Sequence, residues 1–132
     1  MTIHSLSFAQ ARILRPDVVE LIVNAGVEVS VAMVQEWIAF METHAAVPAL
    51  LLLNKRHRYS YSFAAQEMLG RIACVRAVAV VNTSFLAQMI TSAVLAVLPQ
   101  KPAWMLATFS SREEALRWLL AMSGNRAAVP DR

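Results

Sequence analysis

The stretch Ala77–Val81, AVAVV, is a short and continuous apolar run with three β-branched residues, and Asn82 and Thr83 end it. Such a run is typical of a strand that is buried on both faces, as in a parallel sheet. Parallel neighbours need crossover connections, which are usually helices, and helical patterns lie on both sides of this run. We therefore expect Ala77–Val81 to lie in the middle of a sheet, between parallel neighbours.

The segments around this strand predict an α/β fold. Two β-rich runs separated by the turn Arg15-Pro16-Asp17 predict an antiparallel hairpin, after which helix and strand patterns alternate. Right-handed crossovers then give the order β-β-α-β-α-β-α-β-α and a mostly parallel five-stranded sheet with an antiparallel edge strand. The predicted strands are Ser7–Leu14, Val18–Val23, Ala49–Leu53, Ala77–Val81 and Ala103–Phe109; the predicted helices are capped by Ser30, Ser62 and Thr83 or Ser84, and the last spans Ser111–Met122.

Length and composition are those of one domain with an apolar surplus. The chain has 132 residues, and Gly124 ends the last helix pattern, so we expect one domain over residues 6–122 and a tail over 123–132. Apolar residues make up 58% and charged residues 16%, against about 45–50% and about 25% in ordinary domains. The surplus favours a self-associating surface, so we expect a homodimer.

The charge and the targeting signals of the sequence argue against several classes of protein. The net charge is +3 and most basic residues are scattered, which gives nucleic-acid binding little support. No apolar run reaches the about 18–20 residues of a membrane span, and the longest, Phe85–Leu98, is interrupted by polar residues. The N-terminus has no secretory pattern, and the single cysteine, Cys74, makes no internal disulfide. We therefore expect a cytoplasmic location.

Two stretches resemble a known family. The more specific is Phe109–Leu120, FSSREEALRWLL, which is similar to the aromatic–Ser–x–x–Glu–Glu–Ala–Leu–x–Trp–Leu ending of small bacterial STAS-like proteins. The second is Val75–Met89, VRAVAVVNTSFLAQM, which resembles their central strand and the helix after it. The resemblance covers roughly Ser7–Met122 and implies the SpoIIAA-like (STAS-like) βα superhelix. It implies a regulatory or protein-interaction role without naming a specific one, because one fold hosts many functions.

The resemblance also points to one serine. In anti-sigma-factor antagonists of the STAS type, a phosphorylatable serine caps the helix after the third strand, within Asp-Ser-Ser-Gly. The matching stretch here is Tyr61-Ser62-Phe63-Ala64, so Ser62 is a candidate phosphoacceptor whose phosphate would meet free helix amides. The flanking Asp and Gly of the family are absent, and a plain N-cap is the alternative role of Ser62.

Polar residues follow two neighbouring strands of the predicted sheet. The stretch Asn54–Tyr61, NKRHRYSY, is predicted to be a loop, and Asn82-Thr83-Ser84 follows the central strand. Ligands of open α/β sheets bind at such carboxyl ends, so the two segments would share one crevice. A solvated loop and turn or cap roles are the alternatives. The candidate residues for holding an anion, a phosphate or an acidic partner are Lys55, Arg56, His57, Arg58, Tyr59, Asn82 and Ser84.

No pattern predicts catalysis. His4, His44 and His57 are far apart in sequence and lack the spacing of metal ligands. Cys74 stands in apolar surroundings and is expected to be a small buried hydrophobe. Paired carboxylates and a glycine-rich phosphate loop are missing from the sequence. We therefore expect no enzymatic activity, no metal and no cofactor.

Three functional hypotheses follow, and the third is an unrecognised enzyme with a concave polar pocket near Asn54 or Asn82. The first is a non-catalytic STAS-like regulatory or protein-interaction domain that binds itself and a regulatory protein partner. The alternative is a small anionic-ligand or lipid-binding protein with an apolar pocket and the Lys55–Arg58 loop as a clamp. In this alternative Trp37, Trp104 and Trp118 would line the pocket, whereas core packing and a dimer face are their other roles.

Overall fold

The structure of the chain is a computed structural model that describes residues 2–69, 71–82 and 104–128. The predicted third helix, which begins after Thr83, lies outside these residues. Within them, each strand and helix has the following bounds. The strands are β1 (Thr2–Ser5), β2 (Ala9–Arg15), β3 (Val18–Val23), β4 (Glu28–Val29), β5 (Ala49–Asn54), β6 (Ser60–Tyr61), β7 (Val75–Val81) and β8 (Met105–Phe109), and the helices are α1 (Val31–His44), α2 (Phe63–Leu69) and α3 (Arg112–Ala128).

The main sheet is mixed and mostly parallel over its central strands. Its order is β1-β2-β3-β5-β7-β8, in which β1/β2 and β2/β3 are antiparallel pairs and the remaining pairs are parallel. The strand β7 lies between two parallel neighbours, with Ala79 opposite Leu52 on one side and Ala107 on the other. The prediction of an interior parallel strand at AVAVV is therefore confirmed.

Two parts of the predicted sheet are wrong. Over the described residues the sheet has six strands, because Thr2–Ser5 pairs with β2 and forms the edge, so that two antiparallel strands precede the parallel ones. This segment is mostly polar and has no alternation of apolar residues, so its sequence pattern does not predict a strand. It is a strand because its backbone pairs with β2. The predicted loop Asn54–Tyr61 also contains β6, which pairs with β4 in a separate parallel ribbon. Two-residue strands are too short to leave a periodic pattern.

The alternation of side chains on β7 divides the core into two layers. Val78 and Val80 face the layer that contains α1 and α2, whereas Ala77, Ala79 and Val81 face α3. The α3 face of β7 carries small residues, which let a helix approach the sheet closely. On α3, the fully buried residues that fill this layer are Ala115 and Leu119.

The start of α1 confirms the cap predicted at Ser30, whose hydroxyl accepts a hydrogen bond from the Met33 amide over 3.3 Å. For the last helix the sequence pattern Ser110-x-x-Glu113 predicts a capping box, but the cap lies one residue later, because the Ser111 hydroxyl accepts from the Glu114 amide over 3.4 Å. The end of α3 differs from the prediction, because the helix continues past Gly124 to Ala128. Its last part is tied to the sheet by Ser123, whose hydroxyl donates to the Asp17 carboxylate over 3.0 Å. No helix within the described residues is both long enough and apolar enough to cross a bilayer.

Replacing Leu119 with Ala tests the α3 layer. Leu119 is fully buried between α3 and the sheet, so the substitution removes apolar contacts and leaves a cavity. We expect the free energy of unfolding in urea to fall by about 2–5 kcal/mol. The matched control is Arg117→Ala on the exposed side of the same helix, which should cost less than about 0.5 kcal/mol. Equal losses for both variants would contradict the assigned helix face.

Candidate functional site

The carboxyl ends of β5 and β7 lie side by side. Asn54 is opposite Val81 in the parallel register, and the Lys55 amide donates to the Val81 carbonyl oxygen over 2.9 Å. Asn82 follows directly, is buried, and donates its amide hydrogen to the Phe109 carbonyl oxygen over 2.9 Å. The prediction that the two polar segments meet at one sheet edge is therefore confirmed for Asn54, Lys55 and Asn82. Ser84 lies outside the described residues.

The loop after β5 separates packed side chains from exposed ones. The Lys55 ammonium lies 5.0 Å from the centre of the Tyr59 ring, and burial lowers the pKa of Lys55. Tyr59 and Tyr61 pack edge to face, with ring centres 5.5 Å apart, and burial raises the pKa of both hydroxyls. Lys55 and Tyr59, which were predicted to bind a ligand, therefore form a packed cluster with Tyr61. The exposed members of the predicted set are Arg56, His57 and Arg58.

Backbone hydrogen bonds fix the position of this loop. The Gly26 amide donates to the Arg58 carbonyl oxygen over 2.8 Å, and the Ser60 amide donates to the Val27 carbonyl oxygen over 3.0 Å. Gly26 has a φ of +76°, a left-handed conformation that glycine adopts without strain. The exposed basic side chains therefore stand on an anchored segment at the carboxyl edge of the sheet.

Ser62 occupies the start of α2. Its hydroxyl accepts a hydrogen bond from the Ala65 amide over 3.1 Å, so its predicted role as an N-cap is confirmed. Phosphorylation of Ser62 stays a prediction. The next residue, Phe63, is 75% exposed, the largest exposure of any large hydrophobic residue in the described ranges. The sequence analysis did not select it; its position directly after a predicted N-cap and beside a polar loop is the signal that could have done so.

A buried carboxylate that the sequence analysis missed lies on the α3 face of the sheet. Glu20 of β3 is completely buried, and its two oxygens accept hydrogen bonds from Arg112 at 2.9 and 3.0 Å. The Asn54 amide donates to one of these oxygens over 3.0 Å, and Arg12 stands directly opposite Glu20 on β2. A single charged residue inside the apolar run Val18–Val23 was the available signal, because a buried charge must be paired.

The partners of Glu20 keep it ionised. Burial by itself would raise the pKa of this carboxyl, but the hydrogen bonds from Arg112 and Asn54 and the charges of Arg112 and Arg12 outweigh burial. The pKa of Glu20 therefore lies below its ordinary value, and the hydrogen bond to Glu20 raises that of Arg112. The cluster joins the first turn of α3 to the sheet, and its carboxylate is held as a structural ion.

The histidines and the cysteine do not assemble a reactive site within the described residues. His4 and His44 come together, with ring centres 4.6 Å apart and Phe40 beside both, whereas His57 is on the exposed loop. In the described ranges no group of three or more metal-binding side chains is present. Cys74 is buried in the core, as predicted, and burial raises the pKa of its thiol to about 11.

A cavity of about 80 Å³ lies between the sheet and α1. Leu21, Leu51 and Val78 from three neighbouring strands contribute to its lining, and so does Trp37 of α1. Every lining side chain in the described ranges is aliphatic or aromatic. Of the three tryptophans considered for a pocket, Trp37 and Trp104 line this cavity, while Trp118 lies in the other layer with its ring 5.6 Å from that of Phe109.

Comparisons with known proteins found no relative of this chain. The chain matches no family model, no curated protein and no solved structure.

Replacing Arg112 with Ala tests the ion pair. Breaking a fully buried pair costs about 3–5 kcal/mol. Because the Arg112 side chain is 40% exposed and solvent screens its charge, we expect the free energy of unfolding at pH 7 to fall by less, about 2–3 kcal/mol. The folded-state pKa of Glu20 is lowered, so the pair stabilises the protein above the unfolded-state pKa and loses this effect as the pH falls through the folded-state pKa.

Urea unfolding between about pH 3 and about pH 7 measures this effect. The difference between wild type and Arg112→Ala should shrink as the pH falls below the ordinary glutamate pKa of about 4.3 and through the lowered folded-state pKa of Glu20. Arg117→Ala on the exposed side of α3 is the control and should show a small, pH-independent difference. A loss in Arg112→Ala that stays constant across this range would show that Glu20 is not the titrating partner.

Proposed function

We propose that this chain is a non-catalytic, STAS-like protein-interaction domain. The order of its described strands and helices and its mostly parallel sheet are compatible with the SpoIIAA-like superhelix that the motif at Phe109–Leu120 resembles. The buried, protonated thiol of Cys74 is compatible with a reducing, cytoplasmic environment. The regulatory role is part of this proposal.

The state of the reactive side chains favours binding over catalysis. The Ser62 hydroxyl serves as a helix cap, and the thiol of Cys74 has a raised pKa in an apolar core. Glu20 is fully engaged by Arg112 and Asn54. General acid–base or nucleophilic catalysis needs a group with a suitable pKa and free geometry, which these three do not offer.

The observation that carries the proposal is the exposure of Phe63 beside the basic loop. Phe63 is 75% exposed at the first position of α2, and the short strand β6 connects it to the exposed Arg56 and Arg58. Glu28 of β4 lies opposite Ser60, and its single negative charge against Lys55, Arg56 and Arg58 leaves this surface net positive. An exposed aromatic anchor beside arginines is typical of an interaction hot spot. The partner that fits is a protein with an apolar pocket and an acidic rim.

Replacing Phe63 with Ser tests this contact surface. Immobilised wild-type chain should retain a partner from an extract of the source organism, and the purified partner should then bind in calorimetry with an affinity that falls at higher salt. We expect Phe63→Ser to weaken this binding by about thirtyfold or more. It should leave the fold unchanged, because the side chain is already exposed.

The matched control is Val47→Ser, which alters another exposed apolar residue away from the loop. This variant should bind the partner as the wild type does. The proposal is wrong if every protein that the wild type retains is bound equally well by Phe63→Ser.

We also propose that the chain forms a homodimer through β8. This strand is the last one of the described sheet, and Met105 and Leu106 are 57% and 36% exposed. The Phe109 carbonyl oxygen accepts from the amide of Asn82, which directly follows β7. The backbone groups of Leu106 and Thr108 therefore point away from β7, because direction alternates along a strand. The segment Met105–Phe109 contains no charged residue and no proline, the residues that hinder pairing of an edge strand with another chain. A second copy fits this edge because two identical strands pair antiparallel around a two-fold axis.

Sedimentation velocity tests the dimer edge. Wild-type protein at micromolar concentration should sediment as a dimer, and Leu106→Lys should sediment as a monomer because a lysine blocks edge pairing. Ile3→Lys on β1, the opposite edge, is the matched control and should remain dimeric, since Ile3 is also exposed. A monomeric wild type, or a dimer broken by the control and not by Leu106→Lys, contradicts this interface.

A further inference from the structure

Two histidines that are distant in sequence meet where the edge strand β1 passes the end of α1. His4 lies on β1 and His44 is the last residue of α1, and their ring centres are 4.6 Å apart. Phe40, one turn earlier on α1, packs against both rings, with its centre 5.1 Å from that of His4 and 4.9 Å from that of His44. The packing therefore holds two imidazole rings side by side.

The nitrogens of both rings are available to a ligand. Neither side chain has a hydrogen-bond or ion-pair partner among the described residues. His44 is exposed and His4 is half-buried. The ring nitrogens of His4 are absent from the buried polar atoms that lack a partner in the described ranges, so they reach solvent. An imidazole nitrogen in this state is suited to bind a metal ion, because imidazole is the commonest metal ligand in proteins.

The surroundings of the pair favour a cation. His44 lies in the last turn of α1, where the aligned peptide dipoles place partial negative charge. This turn contains no lysine or arginine, and neither does β1, so the two segments that carry the histidines add no fixed positive charge beside them. A positive ion between the rings is therefore not opposed by either segment.

We propose that His4 and His44 bind a divalent ion of the zinc, nickel and copper class through one nitrogen each, with water completing the coordination. Imidazole suits these ions, whereas Mg²⁺ prefers oxygen ligands. Metal–nitrogen distances are about 2.0–2.1 Å, so two nitrogens on one ion lie about 3 Å apart. Ring centres 4.6 Å apart permit this spacing when the rings turn their nitrogens toward each other.

A metal ion at this position joins β1 to α1. Since the two ligands come together only in the folded chain, the ion stabilises the folded state by mass action. At a free ion concentration of about one hundred times Kd, the ratio of folded to unfolded chain should rise about a hundredfold. The site is separate from the contact surface at Phe63 and from the edge strand β8, which lies at the opposite end of the described sheet.

Titration of the protein, purified without a polyhistidine tag, with Zn²⁺ tests the site. The chain has three histidines, so proton NMR can follow each imidazole ring. Zn²⁺ should move the signals of His4 and His44 together and leave those of His57, on the exposed loop, in place. In calorimetry Cu²⁺ should bind more tightly than Zn²⁺, and Mg²⁺ should not bind at the same concentrations.

Phenylalanine substitutions separate the nitrogens from the ring packing. His4→Phe and His44→Phe keep an aromatic ring beside Phe40 and remove a ligand. Each should weaken zinc binding by about tenfold or more, because losing even a hydrogen-bond partner of a metal ligand costs about 10–100-fold. Each should also greatly reduce the stabilisation by zinc in urea unfolding. His57→Phe is the matched control and should bind zinc as the wild type does.

Three outcomes would overturn the proposal. In the first, Zn²⁺ at millimolar concentration moves none of the histidine signals. In the second, all three variants bind zinc as tightly as the wild type, which shows an adventitious ion only. In the third, one of His4→Phe and His44→Phe keeps full affinity, which places the ion on a single histidine. The spectrum of each variant reports whether it is folded, and the wild-type titration stands without them.

Discussion

The burial of β7 on both faces is the constraint on which the structure depends. A strand buried on both faces needs a neighbour on each edge and a packed layer above and below it. Strands β5 and β8 are the hydrogen-bonded neighbours of β7, and the two core layers that contain Val78 and Ala79 cover its two faces. The parallel arrangement in turn brings the ends of β5 and β7 to one edge of the sheet. The polar residues Asn54, Lys55 and Asn82 meet there for this reason.

The polar residues at that edge divide into those that hold the fold together and those that face solvent. Glu20 and Arg112 link strand β3 to the start of α3, and Asn54 completes the hydrogen bonding of the carboxylate. Residues that are used in this way are not available for chemistry. The exposed arginines of the loop and Phe63 are available, because anchored backbone presents them without using their side chains. These exposed side chains are the ones on which the proposed contact surface depends.

The apolar surplus of the composition is distributed over three places. Most of it fills the two core layers, part of it is exposed at Phe63 and along β8, and part surrounds the cavity beside Trp37. Each location has a different physical consequence. A filled layer stabilises the fold, an exposed patch favours association, and a cavity leaves the side chains around it without part of their packing contacts. Composition alone reports only the total.

The sequence by itself determined the interior strand, the alternation of helices and strands over the described residues that follow the hairpin, and the caps at Ser30 and Ser62, because these depend on local periodicity and on neighbouring backbone amides. It also indicated that the polar segments after β5 and β7 meet, since parallel strands end at the same edge. The edge strand β1 and the ribbon of β4 and β6 were decided by tertiary structure, because backbone pairing between distant segments leaves little trace in such short stretches.

The pairing of Glu20 with Arg112 and the free donor of Trp37 likewise exist only in the folded chain. The two charged residues are 92 positions apart, and neither pattern around them indicates the other. Whether an indole N–H finds an acceptor depends on the groups packed around it, and the described residues supply none for Trp37 Nε1. Local sequence specifies which groups need partners, and only the three-dimensional arrangement decides which of them obtain one.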